Sequence, residues 1–291
     1  MHARVAVTAT AIAFFGIGIA ILPTPHAGAA GSDRLVVVAH RGASGYAPEN
    51  TLAAIDRAAA MGFGWVENDV QRTKDGRLVV IHDATLDRTT DVKKLFPHRA
   101  PWRVKDFTAK EIARLDAGSW YGRRYAGVRV PTLQQYMERL SHNHQSLILE
   151  IKNPELYPGI ERQTLALLDK DGWLDPGHLR NRLIVQSFSA ASVRTVHGLR
   201  PEIRTAYLGT PPVSALQAYS RFADQINGEY TKLSSGYVSA VHSLKGPHDK
   251  PMRVFAWTVN GADEAERVDG FGVDGVITNV PDVVRRAVTA S

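Results

Sequence analysis

From residue 34 onward the chain repeats one alternation, a short run rich in Val, Ile and Leu followed by a stretch with apolar residues at helical spacing. The apolar runs are RLVVVAH (34–40), GWVENDV (64–70), SLILEIK (146–152), RLIVQSF (182–188), IRTAYLG (203–209), the weaker ADQIN (223–227), MRVFAWT (252–258) and VDGVIT (273–278). Helical stretches lie between them: TLAAIDRAAAM closed by Gly62, PTLQQYMERL, 160–170, SAASVRTVHGL, 232–244 and 262–269. Strands separated by helices at this rhythm predict a parallel sheet covered by helices. One further apolar run, RLVVIHD (77–83), follows the second after only the TKDG turn at 73–76, and reads as the returning arm of a local hairpin. Eight parallel strands then remain, which predicts an α/β chain folded as a (β/α)8 barrel. An open doubly wound sheet is the alternative, disfavoured because no GxGxxG turn follows the first strand.

Residues 84–129 break the rhythm with prolines, aromatics and mixed charges, and are expected to form a small insertion over one end of the fold, after the second barrel strand. At the other extreme, residues 1–29 read as an export signal: a weakly basic start, an apolar run over 5–22, and the small residues AGA at 27–29. The mature domain is then expected to begin near Ala30 and run to 291, secreted rather than anchored, with association with the cell envelope left open. The chain has no cysteine, which removes disulfides, thiolate metal sites and a thiol nucleophile, so any metal must be held by oxygen or histidine nitrogen. A formal charge of +6 favours anionic partners. Without zinc-finger spacing, a long basic block or a basic stripe interleaved with aromatics, nucleic acid is not an expected partner.

Polar residues gather where the predicted strands end, the face that carries chemistry in a barrel. Glu67 and Asp69 share one side of the second strand, and Glu150 stands on the next one. Three buried anions would repel one another and lose hydration, a cost that one divalent cation, Ca²⁺ or Mg²⁺, resolves with oxygen ligands. An ion pair for Glu67 and a turn cap for Asp69 is the bland alternative. His40 ends the first strand, and the TKDG turn returns His82 towards the acids, so the two imidazoles could serve as base and acid or be structural. Arg41 and Lys152 are the candidate phosphate-side cations, and Trp257 either walls the organic part of a substrate or packs. Glu49 and Asn50 are expected to cap the first helix with Thr51 in its first turn. His98, His142, His144, His178, His197, His242 and His248 read as surface residues without convergent acids, and Asn68 as an outward side chain free to vary.

These elements occur in an order that resembles the glycerophosphodiester phosphodiesterase family. The run AHRGASGYAPENTLAAIDRAAAMGFGWVENDVQRTKDGRLVVIHDATLDRTT carries HRG, PENT, ExD, TxDG and HDxxLxRTT elements like the family's; LDAGSW, LEIK, WTVN and GVDGVIT follow downstream. The resemblance covers essentially the whole chain after the export signal. It implies His40 and His82 as the acid/base pair, Arg41 and Lys152 on the phosphate, and Glu67, Asp69 and Glu150 as ligands of one divalent ion. It also implies hydrolysis of a small glycerophosphodiester to sn-glycerol 3-phosphate and an alcohol, through a cyclic phosphate. Asn279 departs from it, since the family commonly has aspartate there, and is expected to alter only a rim charge, local packing or substrate preference. Rival readings are a secreted phospholipase D of the sphingomyelinase D type, a hydrolase of glycerol-phosphate polymers such as teichoic acid, and a binding protein without turnover. The insertion at 84–129 argues against the first, and the paired histidines argue against the last.

Overall fold

The structure, a computed structural model, describes residues 1–2 and 35–290. The apolar run, the AGA site and the boundary near Ala30 fall outside the described residues. The strands are β1 (Val36–Ala39), β2 (Trp65–Arg72), β3 (Leu78–Val80), β4 (Ser146–Ile151), β5 (Leu183–Ser187), β6 (Arg204–Leu208), β7 (Gln225–Glu229), β8 (Arg253–Trp257) and β9 (Gly275–Thr278). Their order is β1-β9-β8-β7-β6-β5-β4-β2-β3, and a parallel β1–β2 pairing closes the ring, so β1, β2 and β4 to β9 form an eight-stranded parallel barrel. β3 pairs antiparallel with β2, Val70 opposite Val80, which makes RLVVIHD the hairpin arm rather than a barrel strand. The barrel expectation holds, and the open-sheet alternative does not.

Alternation along each strand divides two kinds of core. Inward residues Val38, Ile148, Ile184, Ala206, Phe255 and Ile277 pack together as the barrel's filling. Outward residues such as Ala39, Val66, Leu147, Leu149 and Val185 pack against the helices, among them Leu52–Ala60, Leu133–His142 and Ile160–Lys170. The first two of these helices start where threonine supplies a cap: Thr51 accepts from Ala54 N, and Thr132 with Gln135 forms a capping box. The cap of the first helix is therefore Thr51, in extended conformation, and not Glu49 or Asn50 as the sequence suggested. Those two residues are left for other work.

The segment 84–129 has a small core of its own, in which Leu86, Val92, Phe107, Ile112 and Leu115 pack with Val79 and Ile81 of the hairpin arm. It contains only short helical turns, such as Val92–Leu95 and Ala109–Ile112, which is why its sequence shows no clean period. Lys74 N donates to Phe107 O at 2.8 Å, fastening the insertion to the TKDG turn. Among the described residues no helix is long and apolar enough to cross a membrane.

Candidate active site

Immediately beyond β1 the chain bends through Arg41 (φ 55) and Gly42 (φ 80). A Cβ on Gly42 would stand 2.6 Å from the Ala54 carbonyl carbon, so only glycine lets this bend rest on the first helix. The bend turns the Arg41 N–H towards Glu67 Oε2, to which it donates at 3.0 Å. It also brings the Arg41 guanidinium 2.9 Å from Glu49 Oε1 and 3.3 Å from Asp69 Oδ2.

Asp69 and Glu150 are register partners on β2 and β4, and Glu67 lies two residues back on the same face of β2. One oxygen from each of the three lies within 4.8 Å of the others, and all three side chains are buried. Burial, then Asp69 and Glu150, pushes the Glu67 carboxyl well above the usual range. Burial and Asp69 push Glu150 up to about 8 against the pull of Lys152. Burial also acts on Asp69, but Arg41, His82 and Lys152 outweigh it and hold that carboxyl low. Asp69 Oδ1 has no hydrogen-bond partner although it is buried. An orphaned carboxylate oxygen beside two acids that resist ionisation is what a missing positive charge leaves behind, and an all-oxygen set fits a hard divalent cation. Lys152 Nζ, 2.9 Å from Glu150 Oε1 and 3.7 Å from Asp69 Oδ1, offsets only part of the charge.

The two histidines face the same cavity from different settings. His40 Nδ1 lies 2.7 Å from the amide oxygen of Asn279, which also accepts from Ser44 Oγ at 2.8 Å; His40 Nε2 lies 3.8 Å from Glu67 Oε2. Burial and the neighbouring Arg41 lower the His40 pKa to about 4. His82 instead sets Nδ1 2.7 Å from the Asp83 carboxylate and Nε2 3.2 Å from Lys152 Nζ. Arg88 clamps Asp83 and reaches Glu49 at 2.7 Å, so a chain of charges runs from the hairpin to Arg41.

A cavity of about 90 Å³ is lined by His40, Arg41, Glu67, His82, Glu150, Lys152 and Trp257. Asp69 sits behind it, bound at Oδ2 by Asn50 Nδ2 at 2.7 Å. All eight residues singled out in the sequence thus meet at the C-terminal end of the barrel. A larger cavity of about 480 Å³, beside Gly76, Leu78, Gln163 and Leu167, has neither acid nor histidine in its lining and offers no comparable chemistry. Trp257 donates from Nε1 to Asn227 O at 2.7 Å and meets Phe188 edge to face.

Sequence reasoning missed several participants. Glu49 and Asn50 serve Arg41 and Asp69 rather than a helix end. Asp83 and Arg88 stand in the HDATLDRTT run, whose pattern was visible although their contacts were not. Asn279 touches His40 itself, which corrects its description as a rim position. Asn68 does face away from the acids, but it is fully buried and not at a freely variable surface. His178, His242 and His248 are each paired with one carboxylate, Asp175, Asp274 and Asp224, and are partly buried rather than simple surface residues.

Residues 40–283 match the family model described as the glycerophosphoryl diester phosphodiesterase family. The Bacillus subtilis protein YhdW is 38% identical over 255 residues, spanning 86% of this chain and 96% of its own. A Bacillus subtilis glycerophosphodiester phosphodiesterase is 35% identical over 268 residues, with 87% and 86% of the two chains covered. Among solved structures, a phosphodiesterase of Oleispira antarctica in complex with the product sn-glycerol-3-phosphate superposes with a TM-score of 0.71 at 29% identity, covering 87% of this chain and 96% of that one.

Proposed function

The chain belongs to the glycerophosphoryl diester phosphodiesterase family, and from that premise we propose that it hydrolyses small glycerophosphodiesters to sn-glycerol 3-phosphate and an alcohol. The observation that carries this reading is the convergence of two imidazoles and three buried carboxylates on one cavity, with Arg41 and Lys152 beside them. A binding protein has no need of two histidines with opposite hydrogen-bond settings. The product complex of the Oleispira antarctica relative supports the glycerol phosphate half of the substrate.

In the first step the free hydroxyl next to the ester on glycerol attacks phosphorus, and the bond from phosphorus to the alcohol oxygen breaks. His40, backed by a neutral amide and kept uncharged by burial, takes the proton of the attacking hydroxyl. His82, whose Nδ1 is backed by the Asp83 carboxylate, gives its proton to the departing oxygen. Water then opens the cyclic phosphate with the two roles exchanged. Arg41 and Lys152 balance the charge that grows on the phosphoryl oxygens. Glu67, Asp69 and Glu150 would hold one divalent cation, Ca²⁺ or Mg²⁺, whose contribution when bound is Lewis-acid stabilisation of that same charge.

The basic start, the apolar run at 5–22 and the small residues at 27–29 support export and release of the enzyme outside the cell. One panel tests both parts: glycerophosphocholine, glycerophosphoethanolamine, glycerophosphoinositol, intact phospholipids and polyglycerol phosphate, assayed in culture medium and in washed cells for release of glycerol 3-phosphate and, from the lipids, of the headgroup alcohol. The expected result is turnover of the small diesters, recovered in the medium. Turnover confined to the lipids or to the polymer would replace the substrate reading, and activity retained inside the cells would sink the export reading.

A further inference from the structure

Two groups of the site owe their position to a carboxylate. His82 Nδ1 lies 2.7 Å from Asp83 Oδ1, and Arg41 Nη1 donates to Glu49 Oε1 at 2.9 Å. The two carboxylates come from different segments, Asp83 from the end of the hairpin arm and Glu49 from the turn ahead of the first helix. One side chain joins them. Arg88, five positions beyond Asp83, donates to it from Nε at 2.5 Å and from Nη2 at 3.1 Å, and to Glu49 from Nη1 at 2.9 Å and from Nη2 at 2.7 Å. Every nitrogen of its guanidinium is therefore engaged on one or other of the two acids.

An ordinary surface ion pair is the bland reading, since the Arg88 side chain is 44% exposed and a single exposed pair adds little to stability. Geometry and the lack of substitutes speak for more. A rigid planar fork fixes two carboxylates relative to each other, which a point charge such as an ammonium does not. Among the described residues the Asp83 carboxylate is hydrogen-bonded only to His82 and Arg88, and the Glu49 carboxylate only to Arg41 and Arg88. Gln71 fixes the backbone here, donating from Nε2 to the carbonyls of His82 and Asp83 at 2.9 and 2.6 Å, but leaves the Asp83 carboxylate free to turn. Without Arg88 each acid would keep only the group it has to position, and nothing would hold one acid against the other.

We propose that Arg88 is a positioning residue: by gripping Asp83 and Glu49 together it sets His82 at the departing oxygen and Arg41 at the phosphoryl group in one shared geometry. The inference rests on the phosphodiesterase reading above, and Arg88 itself contacts no reacting atom. Its test is the kcat/KM of the wild type, Arg88→Ala and Arg88→Lys on two diesters of glycerol 3-phosphate, read as the alcohol released. Choline leaves only when protonated, whereas 4-nitrophenolate leaves without a proton, so only the first needs a well-placed His82. Arg41 serves both. Arg88→Ala is expected to lose about 10²-fold on the choline ester and only about tenfold on the nitrophenyl ester, with circular dichroism unchanged. Arg88→Lys is expected to keep the same inequality at smaller size, and decides the matter should the alanine variant not fold. Equal losses on the two esters, a loss absent from the nitrophenyl ester, or no loss at all would overturn the joint role while leaving the phosphodiesterase reading standing. A wild type that cleaves neither ester would remove both.

Discussion

His40 and His82 are the same residue type in one cavity, yet their partners separate them: an amide oxygen behind one, a carboxylate behind the other. Removing either should stop proton transfer without removing the carboxylates. His40→Ala and His82→Ala are therefore expected to lower kcat by about 10²–10⁴-fold, the usual worth of a positioned acid or base. Their circular dichroism and their binding of Ca²⁺ or Mg²⁺ by calorimetry should stay close to wild type; near-normal turnover in both variants would refute the assignment. Glu67, Asp69 and Glu150 were legible because spacing two on a strand fixes a shared face and neighbouring strands fix the rest. The partners of these groups were not. Asn279 reaches His40 across 239 positions, and Glu49 reaches Arg88 across 39, so residue type was visible while contact was not.

At the scale of elements, the TKDG hairpin decides whether His82 reaches the acids. Gly76 takes the left-handed conformation (φ 79), and Thr73 closes the turn by donating from N to Arg77 O and accepting at Oγ1 from Arg77 N. This much was readable, because turn residues act locally. The insertion was readable only as an interruption: its core gathers from Leu86 to Leu115 without helical or strand period, and it packs under the hairpin arm. Phe107 lies at the centre of that core, fully buried, and its carbonyl holds Lys74 of the turn. Phe107→Ala is expected to cost about 3–5 kcal/mol in urea unfolding and to lower kcat as the hairpin loosens. Unchanged stability and unchanged kcat would show that the insertion does not brace His82.

For the molecule as a whole, the barrel gathers three acids in its interior that the protein alone only partly neutralises, so stability, pH and cation binding are linked. Glu150, raised from 4.5 to about 8, keeps a proton in the folded state that the unfolded chain has lost, and Glu67 shifts the same way. The contribution of Glu150 to stability is full below its unfolded pKa and is lost as pH rises towards 8, and that of Glu67 changes in the same direction. His40 acts in the opposite sense, because a pKa lowered from 6.5 to about 4 costs stability only as pH falls below 6.5. Between pH 6.5 and 8 the raised acids therefore act without opposition from His40. EDTA-treated protein is expected to lose several degrees of Tm across that interval. Added Ca²⁺ or Mg²⁺ should restore them, with a larger gain at pH 8 than at 6.5, because the cation competes with protons for the same oxygens. Activity should vanish with EDTA and return with the cation. A metal-free Tm that is flat from pH 6.5 to 8 and indifferent to either ion would mean that Lys152 and Arg41 already neutralise the cluster, and that these carboxylates hold no metal.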